Sequence, residues 1–318
     1  MKKLNILVTG CGGDLGISIA KICKESGIFG KVIGTNNHNK HPGSLVYDKC
    51  YLVNNIDTPQ YIEQVNKISV DNEIDIIVPV SELELRRISA SPNFITNYFN
   101  KPILCANAEA LNIGLDKFKT VEFLKNNNLP YPKTETFDEH VTLKFPYLVK
   151  PISGYGSKAI HIIYDKIDFN YYSLKLKNYI AQELIDVHDS EYTCGLFKSK
   201  SGIIRTIIIK RQLSDGTTSY GEIVENKTVD NLLYVIANRL NLVGSINVQL
   251  RILNNIPYVF EINPRFSSTV RFRHLVDYKD FVWSVMDLFD GDIGAYKPIE
   301  EKVSLIKVAN EIIKKNEN

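Results

Sequence analysis

The chain has 318 residues, 44% hydrophobic and 23% charged, with 38 basic side chains against 36 acidic ones for a formal net charge of +2. That is ample apolar material for two or three lobes, and the balanced charge excludes a nucleic-acid surface built on bulk positive charge. The longest apolar runs are strand-sized, short of the roughly 18 residues that span a bilayer. No membrane association is therefore expected, and the Met1-Lys2-Lys3-Leu4 start, without a signal-peptide pattern, makes a cytoplasmic location the expectation.

In chain order, Leu4–Thr9 reads as a short apolar strand. It runs into Gly10-Cys11-Gly12-Gly13-Asp14-Leu15-Gly16 and then a helix with apolar Ile17, Ile19, Ala20, Ile22 and Cys23. Strands follow at Lys31–Thr35, Ile74–Val80 and Lys101–Ala106, with a helix at Pro59–Ile68. This alternation predicts a parallel sheet with right-handed crossovers. Gly10-x-Gly12-x-x-x-Gly16 is one residue too long for a dinucleotide fingerprint. Thr35, Asn36 and Asn37 also stand where the acidic ribose ligand would be. A glycine turn at a helix start can still hold an anion, or simply allow close packing.

The five cysteines, Cys11, Cys23, Cys50, Cys105 and Cys194, are odd in number and widely spaced, with no CxxC pair. That pattern favours reduced thiols over a disulfide framework or a zinc site. Cys11 reads as a small residue filling a tight turn.

The middle of the chain begins with a helical stretch at Asn107–Leu111. A second helix spans Asp116–Lys125, capped by Asp116 and stopped by Asn126-Asn127-Asn128-Leu129-Pro130. A strand at Pro146–Pro151 carries Lys150. The Gly- and Ser-rich stretch Ile152–Lys158 then leads to a strand at Ala159–Tyr164. Two strands joined by such a loop and flanked by lysines suit a lid over a triphosphate, and equally a hairpin with solvated lysines. Tyr179–Ile185 is an apolar strand, and Glu191–Leu196 starts with a carboxylate able to hold a ribose hydroxyl. Ile203–Arg211 is a strand, Ser214–Gly221 a polar loop, and Val229–Leu240 an amphipathic helix.

The densest signal comes last. Val259-Phe260-Glu261-Ile262-Asn263-Pro264-Arg265, read as a strand, puts Glu261 and Asn263 on one face. Gln249, twelve residues before Glu261 on the strand Ile246–Ile252, can add a third oxygen across a hairpin. Oxygen ligands of this kind suit Mg²⁺ shared with substrate phosphates, and Arg265 presents planar donors that match a phosphate. A strand ending in an Asn-Pro turn is the plainer reading of the same residues.

In this order, the motifs resemble the ATP-grasp superfamily over nearly the whole chain. The similarity is to the branch typified by one synthetase half of the carbamoyl phosphate synthase large subunit and by stand-alone carboxylate-amine ligases. It implies an α/β ATP-grasp fold with a Rossmann-like domain at 1–106, a small lobe at 107–185 and a Mg/ATP lobe at 186–318. It implies that Lys117 and Lys150 hold ATP phosphates and that the loop with Ser153, Gly154, Gly156 and Ser157 closes over them. Gln182, Glu183, Leu184 and Ile185 would frame adenine, with Glu191 on the ribose. Gln249, Glu261 and Asn263 would carry Mg²⁺, or Mn²⁺ in its place. Arg265, with Arg211 or Lys210, would steady the transferred phosphoryl group, and Arg271, Arg273 or Arg211 would bind the substrate carboxylate.

The implied activity is ATP-dependent joining of a small carboxylate to a small amine, with homodimerisation an open expectation. Two departures separate the chain from the synthase itself: it has a single ATP-grasp unit, and its loop is shorter and poorer in glycine. A non-catalytic ATP-binding protein stands as the alternative. An NAD-dependent oxidoreductase, suggested by the N-terminal glycines alone, leaves Gln249, Glu261 and Asn263 unexplained.

Overall fold

The computed structural model describes residues 3–91, 99–154, 159–185, 191–214, 216–299 and 302–308. The N-terminal strands β1 (Leu4–Thr9), β2 (Phe29–Asn36), β3 (Lys49–Leu52) and β4 (Ile76–Pro79) form one parallel sheet in the order β3-β2-β1-β4. The helices α1 (Asp14–Ser26), α2 (Gln60–Asp71) and α3 (Glu82–Ser89) connect or follow these strands. Strand β1 is apolar at Ile6, Leu7 and Val8 because both its faces are covered there. Ile6 and Val8 pack with Ile19, Ile22, Val32 and Val78, whereas Leu7 packs with Ile33, Val65, Ile68 and Ile77. The strand expected at Lys101–Ala106 is reduced to a single parallel bridge between Ile77 and Ile103.

After α4 (Ala108–Gly114) and α5 (Lys117–Asn126), a small antiparallel sheet is built from β5 (Thr134–Thr136), β6 (Tyr147–Pro151), β7 (His161–Ile163) and β8 (Tyr179–Glu183), in the order β5-β8-β6-β7. The helix α6 (Lys166–Lys175) sits between β7 and β8 in the chain. Asp165 caps it by accepting from the Ile167 and Asp168 N–H groups. Phe137, Tyr147, Val149, Ile163, Phe169 and Ala181 form the core of this lobe.

A six-stranded antiparallel sheet follows, from β9 (Glu191–Lys198), β10 (Ile204–Ser214), β11 (Thr217–Ile223), β12 (Gly244–Leu253), β13 (Ile256–Asn263) and β14 (Ser304–Ile306), ordered β13-β12-β9-β10-β11-β14. Strand β11 occupies most of the stretch expected to be a polar loop. Its side chains are largely polar because only part of it is buried, but its backbone completes a hairpin with β10. The helix α7 (Lys227–Arg239) covers one face through Val229, Leu232, Leu233 and Ile236. The helices α8 (Val270–Leu275) and α9 (Asp280–Leu288) run back to the first sheet, where Val270, Phe281 and Val285 join Ile6, Val8 and Ile19 in one core. The segment after Arg265 is thereby anchored on the N-terminal domain.

Candidate active site

Alternation along β13 decides which side chains reach the site. Ile262 turns into the core beneath α7, which by alternation sends its neighbours Glu261 and Asn263 to the opposite face; Val259 joins the same core as Ile262 because the ladder is bulged between them. Gln249 lies directly across from Glu261 on β12, and Asn247 across from Asn263.

A β-bulge that no sequence pattern announces completes the arrangement. Gln249 pairs with Glu261 and Leu250 with Val259, so the ladder skips Phe260. The Phe260 carbonyl accepts a hydrogen bond from Lys150 Nζ at 3.1 Å, and the ammonium lies 5.5 Å from the centre of the Phe260 ring. Bulges re-aim groups in this way beside functional sites. Lys150 reaches across because its neighbour Val149 is buried in the small lobe's core, and alternation sends Lys150 to the other face. Burial pushes the Lys150 ammonium down to about 8; the Glu261 and Glu191 carboxylates resist that fall and Lys117 adds to it.

Lys117 approaches from a different element. Asp116 caps α5, accepting from the Phe118 and Lys119 N–H groups at 2.8 and 3.1 Å, which sets Lys117 at the first helical position. Its own N–H donates to the Ile152 carbonyl at 3.0 Å and its Nζ to the Gly154 carbonyl at 2.9 Å. The same Nζ lies 3.4 Å from Glu261 Oε1. Burial pushes the Glu261 carboxyl up, yet Lys117, Lys150 and Arg265, aided by a hydrogen bond with Asn263, outweigh it and hold the group below the usual carboxylate range.

A second network lies alongside. Arg211 donates to Glu191 through Nε and Nη2 at 3.1 and 2.8 Å, and through Nη2 to Gln249 Oε1 at 2.9 Å. Arg251 donates to the other Glu191 oxygen at 2.9 Å and to the Ile185 carbonyl at 2.8 Å. Glu191 is thus clamped between two guanidinium groups. Arg251, absent from the sequence reading, links the end of the β8 segment to the large sheet. Its signal was present: two residues beyond Gln249, it shares that face and stands opposite Glu191. Lys210 and Arg211, with Gln212, Tyr220 and Glu222, line a cleft of about 130 Å³.

On β8, Gln182 is buried and donates to Thr134 Oγ1 at 2.8 Å, while Glu183 is exposed and accepts from the Lys133 N–H at 3.1 Å. Leu184 is half-buried and Ile185 buried. Ser153 is exposed, and Gly154 has φ +136°, a conformation that favours glycine. Gly156 and Ser157 lie outside the described residues.

The two arginines expected on a substrate carboxylate are engaged elsewhere. Arg273 is fully buried, with Nη1 3.1 Å from Asp280 Oδ2 and Nη2 donating to Ser267 Oγ at 2.9 Å. It fits above the large sheet because residue 195 is glycine: a Cβ there would come within 2.2 Å of Arg273 Nη1. Ser245 donates to the same Asp280 oxygen at 2.8 Å. Arg273 therefore has no surface to offer a substrate, and that expectation is withdrawn. Arg271 forms a forked pair with Glu25 and ties α8 to α1.

Ionised Glu261 and Asn263 supply hard oxygen donors on one face, which fits Mg²⁺. Gln249 fits less directly, since its amide oxygen already accepts from Arg211.

Residues 115–269 match the ATP-grasp domain model, and residues 6–95 match the PylC-like N-terminal domain model. The carbamoyl phosphate synthase large chain of Methanosphaerula palustris is 24% identical over 295 residues, covering 80% of this chain but 26% of that one. The chain thus spans about a quarter of the length of this relative. Among solved structures, N5-carboxyaminoimidazole synthetase from Staphylococcus aureus complexed with ADP superposes with a TM-score of 0.75 at 16% identity, covering 96% of this chain and 83% of that one. The L-amino acid ligase from Bacillus licheniformis superposes with a TM-score of 0.70 at 18% identity, covering 91% and 75%. At those identities the likeness is one of fold, and it agrees with the domains matched along the sequence. The chain accordingly carries an ATP-grasp domain over residues 115–269, with a PylC-like N-terminal domain ahead of it over residues 6–95.

Proposed function

We propose that the protein is an ATP-dependent ligase that activates a carboxylate as an acyl phosphate and joins it to an amine. One observation carries this reading: Lys117 from a helix and Lys150 from the small sheet converge on Glu261 of the large sheet. Two ammonium groups and a carboxylate held together between lobes suit a polyphosphate and its cation. The names of the solved neighbours, a synthetase and an amino acid ligase, are in keeping with that chemistry.

A carboxylate is a poor acyl donor because its leaving group would be an oxide. Transfer of the ATP γ-phosphoryl group to it creates phosphate as a leaving group, which the amine displaces. Glu261 and Asn263 would hold Mg²⁺, which would supply charge neutralisation for the ATP phosphates. Lys117 and Lys150 place the phosphates, and Arg265 meets charge on the transferred group. Lys150, brought down to about 8 by burial, regains a firmly held proton when a phosphate arrives beside it. Arg211 is tied to both Glu191 and Gln249, so the part of this group is to orient the large-sheet face.

A screen of phosphate release from Mg-ATP across carboxylate and amine pairs, including amino acids and amino sugars, tests the reading. The expected result is ADP and phosphate formation that requires both partners. ATP binding without turnover for any pair would favour a non-catalytic nucleotide-binding protein instead.

A further inference from the structure

The fold brings together residues that the sequence keeps far apart. Cys11 lies in the turn after β1, and Cys50, thirty-nine positions on, lies in β3. Their sulfur atoms are 3.8 Å apart. His41, which caps the short turn Pro42–Leu45 between β2 and β3, completes a group whose ligand atoms all fall within 4.8 Å of one another. The wide spacing of the cysteines argued against a zinc site in the sequence; strand order overrides that spacing, because β1 and β3 flank β2.

We propose that Cys11, His41 and Cys50 form a binding site for a thiophilic divalent cation, Zn²⁺ by its donor chemistry, at the carboxyl end of the parallel sheet. Two thiolates and an imidazole are the ligand types that select Zn²⁺ over Mg²⁺ or Ca²⁺. The sulfur separation matches as well: two bonds of about 2.3 Å at a tetrahedral angle place their sulfurs about 3.8 Å apart. A disulfide requires a separation near 2.05 Å, so these thiols must move together to form one.

The surroundings make room for these side chains. A Cβ at residue 34 would lie 2.6 Å from the Cys11 Cβ, one at residue 12 would lie 2.6 Å from the His41 Cβ, and one at residue 43 would lie 2.8 Å from His41 Nδ1. Glycine occupies all three positions. Cys11 is fully buried, while His41 and Cys50 are half-buried, which leaves a path for a cation from solvent. The Gly43 N–H donates to His41 Nδ1 at 3.1 Å, which keeps the proton on Nε2 and the Nδ1 lone pair in place. An incoming cation takes that lone pair instead of the amide. The two thiols release their protons to solvent as they bind, and no oxidation state changes.

Three protein ligands leave one tetrahedral position for water, the arrangement of sites that polarise a ligand. The cluster itself lies at the carboxyl edge of a parallel sheet, where small ligands gather in α/β folds. His38 stands beside the cluster, its ring edge-on to His41 with centres 5.6 Å apart.

Titration of the full-length, reduced, metal-free protein with Co²⁺ tests the site, followed by displacement with Zn²⁺. The expected result is about one Co²⁺ per chain with intense tetrahedral d–d bands and sulfur-to-cobalt charge transfer, abolished by Zn²⁺. Cys50→Ser and His41→Ala should each weaken uptake by at least about tenfold, whereas Cys105→Ser, away from the cluster, should not. Metal-free melting curves of each variant separate lost ligation from lost fold. The proposal is overturned if the reduced wild-type protein takes up no cation, if Cys50→Ser binds as well as wild type, or if mild oxidation yields a Cys11–Cys50 disulfide in a protein that never bound metal when reduced.

Discussion

Three carboxylates in different parts of the molecule face the same desolvation with different outcomes. Glu84, on α3 beside the first sheet, accepts from the hydroxyls of Thr9 and Tyr61, and burial pushes it up to about 7. Asp280, packed with Arg273 against the large sheet, is paired with that cation; burial still wins and its pKa is raised. Glu261 has Lys117, Lys150 and Arg265 around it, and its pKa is lowered. Burial alone therefore does not mark an anionic site. Several cations brought from separate elements do, and only the cleft between the lobes has that arrangement among these three.

The largest effect expected from this contrast is on stability. Arg273→Met leaves Asp280 buried without its cation and should cost about 3–5 kcal/mol, with apolar replacement of both residues recovering much of the loss. Denaturant unfolding reads both. A variant as stable as wild type but with a raised Michaelis constant for the carboxylate would restore Arg273 as a substrate ligand.

Glu84 should impose a pH dependence of opposite sense to a salt-bridged carboxylate. Between about 4.5 and about 7 the folded protein keeps a proton that the unfolded chain has lost, so stability falls as pH rises through that window and levels off above it. The full change is about 3 kcal/mol. Glu84→Gln lacks that proton, so the difference between the two proteins in urea unfolding should shift across this window; a constant difference would mean that Glu84 is ionised throughout.

Removing one of the three cations around Glu261 sharpens the contrast further. Lys150→Met should weaken binding of a non-hydrolysable ATP analogue by about 1–3 kcal/mol in calorimetric titration. For wild type, affinity should fall as pH rises through about 8, where Lys150 loses its charge, and the variant should lack this inflection. Equal affinities for both proteins would make Lys150 a structural tie to the bulge and nothing more. The smallest effect belongs to Arg271→Ala, a surface pair with Glu25, at about 0–1 kcal/mol of stability.

Much of this arrangement was legible because it rests on short-range periodicity. Two-residue alternation put Glu261 and Asn263 on one face, and Asp116 announced the start of α5 by its capping chemistry. The unforeseen features depend on register and long-range packing. The Phe260 bulge exists only through the pairing of β12 with β13, and its contact with Lys150 joins residues 110 positions apart. Arg273 reads as a ligand for the substrate carboxylate in the sequence because its burial depends on Gly195, a residue of the distant strand β9. The cluster of Cys11, His41 and Cys50 likewise emerges from strand order, which no spacing along the chain encodes.

The central claim is that the cation-ringed carboxylate in the interlobe cleft serves ATP-dependent ligation, and Glu261→Gln tests it most directly. The substitution keeps the side chain's shape and removes the charge that Lys117, Lys150 and Arg265 surround. ATP-dependent phosphate release by wild type and variant should be compared across Mg²⁺ concentrations with an active carboxylate and amine pair, alongside melting curves. The expected result is a variant that melts close to wild type but turns over at least about 100-fold more slowly. A folded variant with near wild-type turnover at low Mg²⁺ would contradict the assignment of Glu261, and with it the placement of the reaction in this cleft.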